Sequence, residues 1–263
     1  GHGTERTEIG AVIIADSVAA NGVRLTTMEF TAPRFILAEI NTHRMFSRNA
    51  ASSRAIPVKK MIERVLTDPV IPRWIGRNQA GMQAAEELTG LERNEFVADM
   101  IGLMQDAAAL AAKWQHVVHK QTLNRYLEPW MWCKQIVTAT DWANFFWQRC
   151  HKDAQPEFRD LARSACSAYY APEPTPVSQG WWHLPYIKAQ DVDNIYSSEG
   201  FGEGRLGNPL DKLCQISAAR CARVSYLNHD GTRDLDADLL LCERLMHSQH
   251  WSPFEHVASP AIR

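Results

Sequence analysis

Between Leu91 and Val118 apolar residues return every three or four positions: Phe96, Val97, Met100, Ile101, Met104, Ala108, Ala111, Trp114 and Val118. That spacing gives an α-helix one apolar face and predicts an element roughly 40 Å long. Such a helix must bury its apolar face, so the rest of the chain has to supply a layer for it to pack on. Strands are present to do so. Residues 11 to 15, Ala-Val-Ile-Ile-Ala, read as a buried strand, Asp16 to Gly22 as a turn, and Val23 to Thr31 as a second strand ended by Pro33.

The remaining elements are shorter. Residues 34 to 41 carry Phe35, Ile36 and Ile40 and read as a short helix, and Pro57 opens a helical segment from Val58 to Leu66. Two prolines and two glycines make 68 to 82 an irregular connection. Asn144 and Arg149 sit in a strongly aromatic helix with Trp142, Phe145, Phe146 and Trp147. Residues 153 to 170 form another, with Asp153 as its cap and Phe158, Leu161, Ala162, Ala165 and Tyr169 on one face. The stretch 171 to 211 is loop-rich, and a last helix runs from Asp236 to Ser248. No internal repeat or low-complexity segment interrupts the chain, which reads as one domain over residues 1–263.

Composition removes several functional classes. A net charge of -2 provides no basic field for nucleic acid, and no apolar run is long enough to cross a bilayer. No signal peptide is visible. The cysteines (Cys133, Cys150, Cys166, Cys214, Cys221 and Cys242) include no Cys-x-x-Cys pair and read as free cytosolic thiols. His116 and His119 are three apart with no third ligand implied, so no metal site is expected. Gly200, Gly202, Gly204 and Gly207 follow no buried strand and are read as a flexible loop.

Polar chemistry is concentrated in three places: 42 to 54, 124 to 149 and 250 to 256. The first reads Thr-His-Arg-Met-Phe-Ser-Arg-Asn-Ala-Ala-Ser-Ser-Arg. Guanidinium groups match phosphate bidentately, and short hydroxyls add donors, so this stretch suits a phosphate ester. Histidines, amides and aromatics suit a flat phosphate-bearing cofactor. No hydrolase elbow, Walker loop or zincin motif accompanies them, and the residues alone point to a nucleotide-like ligand.

Residues 42 to 54 resemble the signature of the flavin-dependent thymidylate synthases, Arg-His-Arg-x-x-Ser-x-Asn-x-x-Ser-x-Arg, with His43, Arg44, Ser47, Asn49, Ser52 and Arg54 at matching positions. Upstream, Ala32-Pro33-x-Phe35 fits the same family. Arg125 with Pro129 is similar to its Arg-x-x-x-Pro, and Asn144-Phe145, Arg149 and Ala154-Gln155-x-Glu157 to its Asn-Phe…Arg…Ala-Gln-x-Glu segment. A third block, Ala222 to Tyr226, Leu245-Met246 and His250-x-Ser252-Pro253-Phe254-Glu255-His256, resembles the family's amino-terminal region but comes last here, which is the order of a circular permutation. The permutation implies that the His250-to-His256 block lies beside the 42 to 54 stretch and that the chain ends are close.

The resemblance implies an α/β (α+β) fold of the thymidylate-synthase-complementing-protein type, an antiparallel sheet with a long-helix core in permuted order. It implies a cytoplasmic homotetramer (in the host cytoplasm, for a viral protein) with shared active sites and neither nucleic-acid nor membrane partners. It also implies FAD, reduction by NADPH, and transfer of a one-carbon unit from methylenetetrahydrofolate to carbon 5 of dUMP, giving dTMP. Residue by residue, His43, Arg44, Asn144, His250, Ser252 and Glu255 would contact FAD. Glu39, Ser52, Ser53, Arg54, Arg125 and Arg149 would hold the nucleotide, with Arg149 and Ser52 nearest the chemistry. No protein nucleophile is expected.

Four positions depart from the family pattern. Thr42 replaces the first arginine, Glu39 a glutamine, Ala50 a glutamate and Thr140 an arginine. Arg48 is a candidate to compensate. An acidic Glu39 beside a phosphate is unfavourable unless paired or protonated. These departures leave open a different pyrimidine such as dCMP, a hydroxymethylated product, or a catalytically silent homologue that binds nucleotide or flavin.

Overall fold

The computed structural model describes residues 6–198, 208–225 and 234–260. Its sheet begins with a hairpin of β1 (Gly10–Ala19) and β2 (Arg24–Pro33). At the turn between them Gly22 has φ 81°, a left-handed conformation that glycine adopts without a Cβ clash. The strand continues through Asp16, where the sequence suggested a turn. Asp16 pairs across the hairpin with Arg24 at 2.6 Å and accepts from the Thr26 hydroxyl at 2.9 Å, which holds both chains extended.

Arg34–Ile36 forms a 3₁₀ turn leading into α1 (Leu37–Ile40). Next come β3 (Ser47–Ala50), α2 (Val58–Thr67), α3 (Gly90–Trp114), α4 (Lys120–Leu123) and β4 (Trp132–Ala139). Beyond them lie α5 (Ala143–Arg149), α6 (Pro156–Tyr170), β5 (Thr175–Val177), α7 (Ala189–Ser198), α8 (Pro209–Ala222) and α9 (Leu235–His247). Sheet order is β3-β4-β2-β1-β5, antiparallel except for the short parallel pairing of β5 with β1. The fold is thus of the expected α+β class.

Two features were not legible as strands. β4 lies beside β2 near the middle of the sheet, and part of the 42 to 54 stretch forms β3, an edge strand pairing Ser47 with Thr138 and Ala50 with Gln135. In the loop-rich 171 to 211 stretch the structure adds β5, α7 and the start of α8. Asp153 does not cap α6: Gln155 holds the cap position and Pro156 opens the helix. His119 caps α4, its Nδ1 accepting from Gln121 N at 3.2 Å. Gly200 to Gly207 includes no described residue. All six cysteines are unpaired, and among the described residues no helix is long and apolar enough to cross a membrane.

The sheet is covered on both faces. Met28, Phe30 and Val137 point into an aromatic core with Trp142, Phe145 and Phe146 of the α5 region and Phe158, Leu161 and Ala165 of α6. On the other face Ile136 meets Cys221 and Val224 from the end of α8. A second core joins α2 and α3 through Met61, Val65, Met104, Ala108 and Ala111. These two layers hold the residues around β3 and α5 in place.

Candidate active site

The turn between α1 and β3 carries His43 into the aromatic core. Its ring lies edge-on to Phe145 at 5.1 Å and to Phe158 at 5.9 Å. Burial, followed by the positive charges of Arg149 and Arg48, lowers its pKa from 6.5 to about 4, so the imidazole is neutral at pH 7. A neutral ring has one nitrogen free to accept. Arg149 Nε, at the end of α5, donates to His43 Nε2 at 3.0 Å.

The same guanidinium lies 4.5 Å over the Phe158 ring and donates from Nη2 to the Thr42 hydroxyl at 3.3 Å. Thr42 in turn donates to the Glu39 carbonyl at 2.7 Å. The residue at the first departure from the family signature therefore helps orient Arg149. Arg48 does not stand free in its place: its Nη1 donates to the carbonyls of His43 at 2.7 Å and Asn41 at 3.0 Å, tying the turn.

Beside this cluster opens a cavity of about 260 Å³ lined by Thr42, His43, Arg44, Asp141, Asn144 and Gln148 over Phe46 and Phe145. Hydrogen-bonding groups around an aromatic floor suit one end of a flat, polar-edged ring system such as flavin. Asn144 and Arg44 are both exposed at it. Asp141 and Gln148, absent from the sequence-based site, also line it. Asp141 has a local signal, since its carboxylate accepts from Ala143 N at 2.9 Å where α5 starts.

The carboxyl-terminal block lies against β3. Ser252–His256 is a 3₁₀ turn. The Asn49 amide is satisfied at both ends when its nitrogen donates to His256 Nε2 at 3.0 Å and its oxygen accepts from Ser252 Oγ at 3.2 Å. This orientation places the His256 proton on Nδ1 and sets the direction of a longer chain. His256 Nδ1 donates to Thr138 Oγ1 at 2.7 Å, Thr138 to Thr27 Oγ1 at 2.6 Å, Thr27 to His183 Nε2 at 2.7 Å, and His183 Nδ1 to Ser17 Oγ at 2.7 Å. The chain crosses from β3 to β1. Burial lowers the pKa of both histidines to about 4, so each stays neutral and can accept on one nitrogen while donating from the other. His183, Thr27 and Thr138 carried no sequence signal, because Thr27 meets Thr138 only when β2 pairs with β4, and His183 reaches them from the segment bridged to Ala258. The closeness of the chain ends involves residues 1–5 and 261–263, outside the described residues.

The other site candidates stand apart from the His43 cluster. Ser52 to Arg54 follow β3, whereas Thr42 to Arg44 precede it, so the strand separates the two groups by roughly 10 Å or more. Ser53 is fully buried; its carbonyl accepts from Asn124 at 2.7 Å and its hydroxyl has no partner among the described residues. Arg54 is exposed. Arg125 pairs with Glu128 at 2.7 Å, and Glu128 also holds Arg34 at 3.1 Å. His250 and Glu255 are exposed in the carboxyl-terminal block, with Ser248 Oγ 3.0 Å from His250 Nδ1. Within one chain the structure unites Thr42, His43, Arg44, Asn144 and Arg149, and leaves Ser53, Arg54 and Arg125 at the far end of β3.

No curated protein sequence matches the chain. Among solved structures, a UMP/dUMP methylase, PolB from Streptomyces cacaoi bound with 5-Br UMP, is 15% identical, covers 62% of this chain and 89% of its own, and superposes with a TM-score of 0.49. The flavin-dependent thymidylate synthase ThyX from Helicobacter pylori, complexed with FAD and dUMP, is 16% identical over 55% of this chain and 67% of its own, with a TM-score of 0.41. The model of the family described as thymidylate synthase complementing protein matches residues 24–174, from the start of β2 through α6, and stops short of the carboxyl-terminal block. With more than half of its length matched, including the whole His43–Arg149 cluster, the chain belongs to the thymidylate synthase complementing protein family.

Proposed function

We propose that this protein is a flavin-dependent methylase that transfers a one-carbon unit from methylenetetrahydrofolate to carbon 5 of dUMP, with NADPH as reductant and dTMP as product. The observation that carries this reading is the Arg149–His43–Thr42 cluster beside a polar, aromatic-floored cavity, inside the segment that defines the family. Bound FAD would supply the redox chemistry, and the residues of this site would orient it and the nucleotide.

In this reading His43, Arg44 and Asn144 hold the flavin edge, together with His250, Ser252 and Glu255. Neutral His43 and Thr42 fix two of the three guanidinium nitrogens of Arg149. Nη1 would serve the pyrimidine, where the fixed charge of the guanidinium would stabilise the negative charge that builds as carbon 5 becomes nucleophilic. Ser52, Ser53, Arg54 and Arg125 hold the phosphate and sugar, and Glu39 lies on the nucleotide side. Because β3 separates these residues from Arg149, a complete site takes its phosphate half from a second chain of a homotetramer. In the permuted order of blocks, the Ser252–His256 turn reaches β3 from the carboxyl-terminal end of the chain.

A second reading keeps flavin and folate and changes the pyrimidine to dCMP or the product to a 5-hydroxymethyl nucleotide. Thr42 and Glu39 favour it, since both alter the nucleotide side. Titration of the protein with FAD, followed by flavin absorbance and fluorescence, tests both readings against a silent nucleotide-binding homologue. The expected result is saturable flavin binding, weakened by Asn144→Ala. A protein that takes up no flavin contradicts both enzymatic readings.

A further inference from the structure

Two arginines converge on one carboxylate oxygen close to the Ser52-to-Arg54 stretch. Glu128 Oε1 lies 3.1 Å from Arg34 Nε and accepts from Arg125 Nη1 at 2.7 Å. The two cations are held differently. Arg34 follows β2 directly; its side chain is 14% exposed, and its Nη1 also donates to the Ala51 carbonyl at 2.8 Å. The Arg125 side chain is 50% exposed and pairs with Glu128 along its own 3₁₀ segment, Asn124–Trp130. An ion pair so open to water is weak, so Arg125 leaves it at little cost, whereas Arg34 is fixed at two points. The neighbouring residue aims Arg125 at the serine stretch. Asn124 is fully buried, and its Nδ2 donates to the carbonyls of Ser53 at 2.7 Å and Ile56 at 2.9 Å. Lys120 Nζ donates to the Ala55 carbonyl at 3.2 Å. The turns that carry Arg54 and Arg125 are thereby tied together.

We propose that Glu128 is a stand-in anion: it holds Arg125 until a phosphate monoester draws that arginine away, and Arg34 then keeps the Glu128 charge compensated. The inference rests on the nucleotide half of the functional reading and deepens it, adding Arg34 and Glu128 as positioning residues that select the ligand by charge. A carboxylate beside a phosphate repels it, and Arg34 is the group that offsets this repulsion here. Arg125 therefore chooses between two anions. A phosphate monoester carries about two charges and three acceptor oxygens, and it meets the guanidinium fork bidentately. Glu128 offers Arg125 one oxygen that is already shared with Arg34. The monoester wins this exchange, and the exposed Arg54 on the adjoining turn adds a second fork. An uncharged nucleoside leaves Arg125 on Glu128. The chain thus reads the 5′-phosphate before it reads the base.

Calorimetric titration of the full chain, preincubated with FAD, tests this with dUMP and dCMP as probes and deoxyuridine as control. Glu128→Gln frees Arg125 and removes the repulsive charge, so it is expected to lower the Kd for the monophosphates several-fold; a gain of affinity cannot come from misfolding. Arg34→Gln leaves Glu128 with Arg125 alone and is expected to raise the same Kd about 10-fold. In the Glu128→Gln background the Arg34→Gln change should cost no more than about 2-fold, because the charge it compensated is gone. Deoxyuridine binding should be the same in all four proteins. The inference is overturned if Glu128→Gln binds monophosphates no more tightly than the wild type, if Arg34→Gln costs the same in both backgrounds, or if dUMP and dCMP bind no better than deoxyuridine. Methyl transfer is read separately. The expected binding pattern without turnover supports this inference and removes the methylase reading, whereas turnover with an unchanged Kd in Glu128→Gln does the reverse.

Discussion

Arg149 Nε donates to a neutral His43 at 3.0 Å, although its charge is part of what keeps that imidazole unprotonated. The pair is self-consistent, since the cation favours the form of the ring that can accept from it. A protonated His43 would have no lone pair for Arg149 and would repel it. The aromatic residues around the ring add the burial that moves its titration away from neutral pH.

Replacing Arg149 with alanine should lower kcat on the order of 10²-fold, comparable to removing a charge-stabilising donor from an active site. Arg149→Lys should not restore it, because one ammonium cannot meet His43, Thr42 and substrate in the guanidinium geometry. Initial rates with saturating cofactors measure the effect. Near-normal turnover by the alanine variant would remove Arg149 from the chemistry.

Thr42 both accepts from Arg149 and donates to the Glu39 carbonyl. Thr42→Val should therefore cost about 1 kcal/mol of orientation, a several-fold fall in kcat with little change in KM for folate. Thr42→Ser keeps the hydroxyl and should behave as wild type. Equal rates for the valine and serine variants would show that the hydroxyl has no such role.

The buried histidines make stability depend on pH. His43, His183 and His256 are each lowered from 6.5 to about 4. Between those values the unfolded chain binds protons that the folded chain does not, so stability falls as pH drops through this window. The loss is complete below the folded pKa and amounts to a few kcal/mol per buried ring. Urea midpoints at about pH 7.5 and about pH 5 should fall clearly at the lower pH. His183→Gln should reduce the slope, and an unchanged midpoint in the wild type would contradict the neutral-histidine chain.

α7, α8 and α9 are tied together by a buried cation between two carboxylates. Arg220 meets Asp191 at 2.7 Å and Asp238 at 2.8 Å and donates to the Tyr186 carbonyl at 2.9 Å. Arg220→Met should destabilise the fold by about 3–5 kcal/mol, because both carboxylates stay buried without their main cation. Chemical denaturation monitored by tryptophan fluorescence is the check. A loss under about 1 kcal/mol would mean that water reaches the carboxylates freely.

Local chemistry explains which features could be read in advance. The β1–β2 hairpin, α2, α3, α6 and α9 follow from periodicity and punctuation, and the signature around His43 from the spacing of side chains. β3 has no strand pattern of its own: Ser-Arg-Asn-Ala is extended because β4 pairs with it. β4 was hidden within a stretch whose prolines and aromatics read as helix and polar cluster. The chain from Asn49 through His256 and His183 to Ser17 joins residues up to 207 apart in sequence, beyond the reach of any local pattern. Thr42 read only as a missing arginine; its contacts with Arg149 and Glu39 became visible in three dimensions.

The central claim is that this site methylates dUMP. Protein with FAD, NADPH and methylenetetrahydrofolate is incubated with dUMP and, separately, with dCMP, and the nucleotides are weighed by mass spectrometry. The account predicts a gain of one methyl group on dUMP, lost in Arg149→Ala and absent with dCMP. A hydroxymethyl gain, or turnover of dCMP alone, would contradict the dUMP assignment in favour of the second reading; unchanged nucleotides with flavin bound would contradict the enzymatic account itself.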